Sequence, residues 1–262
     1  KDERFISRFA VYHQRYSTNT FPTWRLAQPF RVLAHNGEIN TYRGNLNWMS
    51  CHEDRMSSQL FGEDVEHLKP VVQGGSSDSA AFDAVFELMV HGGRDLPMVK
   101  TMMVPEATGD DAPKELKDLY GYCNAVMEPW DGPAALATVS GDWVLASVDR
   151  NGLRPMRVTI TSDGYIIAGS ETGMVQVDEQ QIVEKSRLGP GQMIAVNLAE
   201  GKVYHDAELK QMLIKRRDWG RWLGRSQVMD NLLADSKNLS ENNMSADDLR
   251  RRQFTAGWTL ED

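Results

Sequence analysis

Cysteine is scarce in this chain, which carries two in 262 residues, Cys51 and Cys123. Two thiols exclude a disulfide framework, a four-cysteine zinc site and an iron–sulfur cluster held by this chain alone. Both sit in helical contexts and read as buried structural thiols; His52 beside Cys51 points about 100° away around a helix. Long apolar runs are also missing. No stretch approaches the ~18 residues of a membrane helix. Basic excess is missing too: 29 basic against 37 acidic side chains leave a net charge of −8, which argues against a nucleic-acid surface. Repeats and low-complexity tracts are not found. Lys1 carries no initiator methionine and no signal-peptide pattern follows it, so an intracellular enzyme fragment is expected.

The signatures of several common enzyme classes fail as well. His52-Glu53 has Met56 where a zinc-binding helix needs its second His. Gly74-Gly75-Ser76-Ser77 lacks the Lys-Ser/Thr end of a phosphate loop. Gly189-Pro190-Gly191 has Ile194 where a dinucleotide fingerprint wants glycine. No GxSxG nucleophile elbow occurs, and six scattered His residues give no metal-ligand spacing.

What is present is an average globular composition, 41% hydrophobic and 25% charged. Residues 8–13 and 30–35 read as strands, and 40–58 as a helix capped by Asn40 or Thr41. A second helix starts at an Asp78 or Ser79 cap and ends at Gly92-Gly93, with Ala81, Phe82, Val85, Leu88 and Met89 on one face. A third covers 113–127, with Pro113 in its first turn and Pro129 beyond its end. Short strands follow over 133–140, 143–149, 155–161, 164–169 and 192–197, joined by Asn-Gly and Asp-Gly turn chemistry. Helices followed by antiparallel strands predict an α+β layered protein. Residues 206–262, with the Lys215-Arg216-Arg217 and Arg250-Arg251-Arg252 triplets, read as a polar helical connector after a domain over 1–205. The triplets read as solvated helix faces.

Three polar clusters fall at strand ends or helix starts. In the first, 13–19, Arg15 can fork two hydrogen bonds to a carboxylate. In the second, 35–40, Asn36 offers an amide donor and Gly37 lets a backbone N–H approach a ligand, together an oxyanion hole for acyl transfer. In the third, 74–79, Asp78 can pair with an ammonium. Each has a plainer reading: a surface ion pair, a turn, a helix cap. Taken together they describe a site for an α-amino acid.

The run HQRYSTNTFPTWRLAQPFRVLAHNGEINTYRGNLNWM resembles the class II glutamine amidotransferase domain of glutamate synthases, large-subunit type. GGSSDSAAFD, MVPEA, MEPWDGPAAL, DRNGLRPMR and SRLGPGQM continue the resemblance to about residue 200. FTAGWTLED is similar to the family's passage into its central domain. The resemblance implies an N-terminal-nucleophile hydrolase fold of four layers, αββα, with two antiparallel sheets between helices, present here as a partial domain. It places the glutamine carboxylate on Arg15, the oxyanion on Asn36 and Gly37, the α-amine on Asp78, and Thr18 in the pocket lining. It implies hydrolysis of L-glutamine through a cysteinyl thioester, the ammonia then aminating 2-oxoglutarate reductively to glutamate. No cofactor or metal is expected in this chain. FMN and an iron–sulfur cluster are expected in the parent protein, with its other domains and a small reductase subunit or ferredoxin as partners. A cytoplasmic or plastid location follows, with no nucleic-acid or membrane partner. Another class II amidotransferase, or a non-catalytic module of the same fold, is the alternative.

The family's nucleophile is a Cys at the mature N-terminus, where this chain has Lys1, and neither Cys51 nor Cys123 lies in a matching motif. The purified 262-residue chain is therefore expected to release no ammonia from glutamine. Steady turnover in a coupled ammonia assay would overturn this.

Overall fold

The computed structural model describes residues 2–15, 21–227, 229–233 and 244–258. They fall into two compact units, 1–223 and 224–262. In the first unit, strand β1 (Leu33–Gly37) leads to helices α1 (Tyr42–Glu53), α2 (Asp78–His91), α3 (Leu96–Met103) and α4 (Lys114–Val126). Strands β2 (Ala134–Ser140), β3 (Trp143–Val148), β4 (Arg157–Thr161), β5 (Ile166–Gly169), β6 (Ile182–Arg187), β7 (Met193–Asn197) and β8 (Lys202–Tyr204) follow. Helices α5 (Asp206–Lys215) and α6 (Trp219–Leu223) close the unit. The boundary drawn at 205 from sequence falls just before α5; Leu209, Leu213 and Trp219 are buried in the core of the first unit. The second unit holds α7 (Met229–Leu233) and α8 (Ala246–Thr255), where Ser245 caps α8 and Arg250, Arg251 and Arg252 are exposed.

The strands form two antiparallel sheets, ordered β1-β2-β3-β7-β8 and β5-β4-β6. Period-two alternation decides what each face of the larger sheet meets. Leu33, Ala134, Leu136, Leu145 and Met193 face a helical layer built on Phe82, Phe86, Val99, Met103 and Leu119. Ala135, Ala146, Val148 and Ile194 face Met156 and Val158 of the smaller sheet. The order is helices, sheet, sheet: the α+β class with two antiparallel sheets is as expected, while the second helical layer of the expected four-layer αββα order is not found among the described residues.

Several local readings shift. Residues 8–13 form no strand, because neither sheet offers them a ladder among the described residues. The helix expected at Asp78 or Ser79 is capped one residue earlier: Ser77 Oγ accepts from Ala80 N at 3.1 Å, a cap worth about 1 kcal/mol. Asp78 is thus the first helical residue and its carboxylate is free for other work. Cys123 is buried as expected, its thiol pushed up to about 12 by burial, but Cys51 is exposed on α1. Helix α3, strand β6 and strand β8 had no sequence expectation. All eight residues of α3 are buried, Lys100 and Thr101 among them, so its polar positions do not mark an exposed face.

Lys100 of α3 is 1% exposed, and its ammonium donates to Gly191 O at 2.7 Å. Burial lowers its pKa to about 8, with Lys210 acting in the same direction and Asp206, Glu106 and Asp149 opposing. A lysine whose folded pKa lies below its unfolded value of ~10.4 binds fewer protons folded than unfolded, so stability rises with pH across that window. Between pH 7 and 10 the wild-type chain is expected to gain about 2 kcal/mol relative to Lys100→Met. Parallel urea titrations at the two pH values measure the difference; an unchanged difference would refute the lowering of the Lys100 pKa by burial.

Candidate active site

Strand β1 is an edge of its sheet, bonded to β2 on one side only. Val139 N donates to Val32 O at 2.8 Å and Glu38 N to Pro133 O at 2.9 Å. In an antiparallel ladder of this register the even-numbered residues of β1 bond to β2, and the odd-numbered ones turn their N–H groups outward. Side chains meet most of these outward groups. Leu33 N donates to Asp83 Oδ1 at 3.1 Å, His35 N to Gln28 Oε1 at 2.6 Å, and Ile39 N to Asp78 Oδ2 at 2.8 Å. Asp83 also accepts from Arg31 N and Val32 N; burial raises its pKa while these bonds pull it down. Among the described residues no group takes the Gly37 N–H.

Gly37 has φ +150°, and a Cβ there would stand 1.7 Å from Pro133 O. Gly132 mirrors it, with φ +149° and Glu38 O at 2.0 Å from its missing Cβ. The two backbones cross where no side chain fits. Asn36, one residue earlier, accepts at Oδ1 from the Arg154 guanidinium, and its Nδ2 has no partner among the described residues. One amide donor and one backbone N–H therefore stand in adjacent positions without internal partners.

These groups line a cleft of about 800 Å³ whose walls come from residues 10–15, β1, β2, the loop carrying Arg154, and residues 168–174. Arg15, Asn36 and Gly37 are on this wall together. Asp78 is not; its neighbour Ser79 is, and Ser79 Oγ lies 2.7 Å from His35 Nδ1 and 3.4 Å from Asp78 Oδ1. Thr18 lies outside the described residues. Four buried side-chain polar atoms lack a hydrogen-bond partner among the described residues. Three of them, His13 Nδ1, His35 Nε2 and Arg154 Nε, belong to residues on this cleft. Orphaned buried polar atoms are rare enough that their concentration on one wall marks a polar ligand site.

The electrostatics suit an anion. Arg15 and Arg154 contribute two positive charges against the single carboxylate of Glu171, so the lining is net positive although the chain as a whole is acidic. Burial lowers the pKa of His35, Asp78 opposes, and His13 and Arg154 lower it further. The neutral ring is thereby favoured in a site already rich in cations. No cysteine lines the cleft, and no group of three or more His, Cys, Asp or Glu residues gathers for a metal among the described residues. Sequence reasoning missed Arg154. It sits two residues after the Asn151-Gly152 turn, and only the turn was read.

The chain matches the class II glutamine amidotransferases over residues 1–222. It is 58% identical over its whole length to the large chain of the NADPH glutamate synthase of Azospirillum brasilense, covering 17% of that protein. The Bacillus subtilis NADPH enzyme's large chain is 42% identical, again over the whole chain and 17% of the relative. Ferredoxin-dependent glutamate synthase 2 of Synechocystis is 43% identical with the same coverage. The chain belongs to the class II glutamine amidotransferases. Its relatives here are glutamate synthases, of whose length it spans about a sixth.

The backbone crossing gives a sharp test. Gly37→Ala must displace Pro133 or abandon φ +150°, and is expected to cost about 3 kcal/mol from strain and overpacking. Gly74→Ala, with open space around it, should stay within about 0.5 kcal/mol. Denaturant midpoints for both variants decide it; equal shifts would refute the crossing.

Proposed function

We propose that this chain is the substrate-binding part of a glutaminase site that hydrolyses L-glutamine to glutamate and ammonia within a glutamate synthase. The observation that carries the reading is the pair of unpartnered donors, Asn36 Nδ2 and the outward Gly37 N–H, on one wall of a cationic cleft.

In this reading a cysteine thiolate from outside this chain attacks the amide carbon of glutamine. The carbonyl oxygen takes up the electron pair and is held by Asn36 and Gly37. Preorganised donors of this kind act on charge that exists only in the tetrahedral state, so they raise the rate and not merely the affinity. Collapse, with the proton given up by the thiol delivered to the departing nitrogen, expels ammonia and leaves a thioester, which water hydrolyses to glutamate and free thiol. Arg15 holds the α-carboxylate. Asp78, beside the cleft residue Ser79, keeps acceptor capacity beyond its bond from Ile39 N and would take the α-ammonium at the helix start.

The ammonia would then aminate 2-oxoglutarate reductively elsewhere in the parent protein. Two cysteines on different helices, one exposed and one buried, do not fit an iron–sulfur cluster. FMN and the cluster are therefore assigned to other domains, and no step here runs through them. Relatives are named for NADPH, NADH and ferredoxin, and a cytoplasmic or plastid location goes with the same reading. No helix among the described residues is long and apolar enough to cross a membrane.

In the full-length protein, Asn36→Ala is expected to lower glutaminase kcat roughly 100- to 1,000-fold with little change in KM. Arg15→Ala should chiefly raise KM, by roughly 30- to 100-fold, as loss of a charged hydrogen-bond pair does. Wild-type kinetics for Asn36→Ala would remove the oxyanion assignment.

A further inference from the structure

An asparagine side chain is nearly symmetric in shape, with an oxygen and a nitrogen exchanged by a half-turn about its last bond. Only one orientation supports an oxyanion. With Nδ2 inward the amide donates to the developing charge; with Oδ1 inward it repels that charge. Nothing in strand β1 itself chooses between the two. The choice must come from a partner that accepts one end and refuses the other.

Arg154 is such a partner. Its guanidinium donates to Asn36 Oδ1. Guanidinium has five N–H donors and no acceptor, and it keeps its proton throughout the pH range of proteins. It therefore bonds one face of the amide only. Turning Asn36 over would bring two donors together on the wall of the cleft.

The position of Arg154 is fixed in turn. It leaves a tight turn built on Asp149, a carboxylate 1% exposed. Asp149 accepts from Asn151 N at 2.9 Å, from Leu153 N at 3.1 Å and from Ala134 N at 3.0 Å. Gly152 N bonds back to Asp149 O at 3.0 Å, with Gly152 at φ +63°; Gly191 N bonds the same oxygen at 2.8 Å. Lys100 then holds Gly191 O. Ala134 follows Pro133, the residue whose carbonyl abuts Gly37 and receives the Glu38 N–H. One buried carboxylate thus sets both the turn that aims Arg154 at Asn36 and the backbone crossing that turns Gly37 outward.

We propose that Arg154 is a positioning residue for the oxyanion hole: it fixes the orientation of the Asn36 amide and so presents Nδ2, not Oδ1, to the substrate carbonyl. The proposal rests on the glutaminase reading and adds to it a residue that acts through Asn36. It distinguishes Arg154 from Arg15, which that reading assigns to the substrate carboxylate.

The test uses the full-length protein with Arg154→Met, which keeps the stem and removes every donor, Arg154→Lys, which restores one donor, Asn36→Ala, and the Arg154→Met/Asn36→Ala double variant. Glutaminase kcat and KM are measured for each, with thermal melting as the check on folding. Arg154→Met should lower kcat about 100-fold with KM within about threefold. Arg154→Lys should recover at least tenfold of that loss. The double variant should be no slower than Asn36→Ala, because the two residues act on one amide. A rise in KM at unchanged kcat would make Arg154 a substrate contact and overturn the proposal. So would independent, multiplicative losses in the double variant, or a kcat within twofold of wild type in Arg154→Met while Asn36→Ala is impaired. If Arg154→Met does not fold, Arg154→Gln takes its place, since a neutral amide can accept or donate and no longer refuses one end of Asn36; a Gln variant that melts normally with kcat within twofold of wild type, while Asn36→Ala is impaired, overturns the proposal equally. Wild-type kinetics in Asn36→Ala would instead remove the underlying reading, so the two failures are separable.

Discussion

An edge strand leaves alternate N–H groups unbonded, and each must find a partner, reach solvent or be put to use. Strand β1 resolves this constraint through α2, and the rest of the site follows. Asp83 takes the backbone at residues 31 to 33, Ser79 takes the His35 ring, and Asp78 takes Ile39 N. Positions 79 and 83 are four residues apart and share one helix face, with 78 at its shoulder. The helix therefore works as a template laid along the free edge of the sheet. Gln28 supplies the remaining bond at His35 N. The Gly37 N–H, left over by this pairing, is the group that faces the cleft.

The same economy explains the two carboxylates deepest in the structure. A buried carboxylate is costly unless several donors converge on it. Asp83 and Asp149 each gather backbone N–H groups from three residues, so each offsets much of its own desolvation and fixes three backbone positions. Asp83 sets where β1 begins relative to α2. Asp149 sets where β2 begins relative to the turn that bears Arg154. The crossing of β1 and β2 at Gly37 and Gly132 lies between these anchors, too tight for any Cβ on either chain.

The sequence made the elements with a clear period and the punctuated turns legible. The third helix, at 113–127, and the five strands expected between 133 and 197 lie within a few residues of their structural bounds, because Pro, Asn-Gly and Asp-Gly mark the turns locally. Helix α3 was not legible because it is only eight residues long and buried even at its polar positions, Lys100 and Thr101, and β6 because Glu184, Lys185 and Arg187 give an exposed strand no apolar alternation. Asn36, Gly37 and Arg15 were recognisable from residue chemistry and they do share a wall. Asp78 was recognisable as an acid at a helix start, but not as the partner of Ile39 N, which depends on a contact 39 residues away in sequence. Arg154 was hidden for the same reason. Its meaning lies in a bond across 118 residues, and no local pattern reports such a pairing.

The cleft also divides its labour by rigidity. Asn36 and Gly37 belong to a strand paired with β2, and Arg154 follows a turn anchored on Asp149. His13 and Arg15 belong to a segment that joins neither sheet. This division matches what the two tasks require. Donors for an oxyanion must stand within about 0.5 Å of the productive position, since their value lies in not having to reorganise when charge develops. A carboxylate clamp works through a charged side chain with several rotatable bonds, and a guanidinium can meet its anion over a wider range of backbone positions. Under the proposed glutaminase reading, the strand wall is therefore suited to the reacting carbonyl, and the irregular segment to the end of the substrate that stays unchanged.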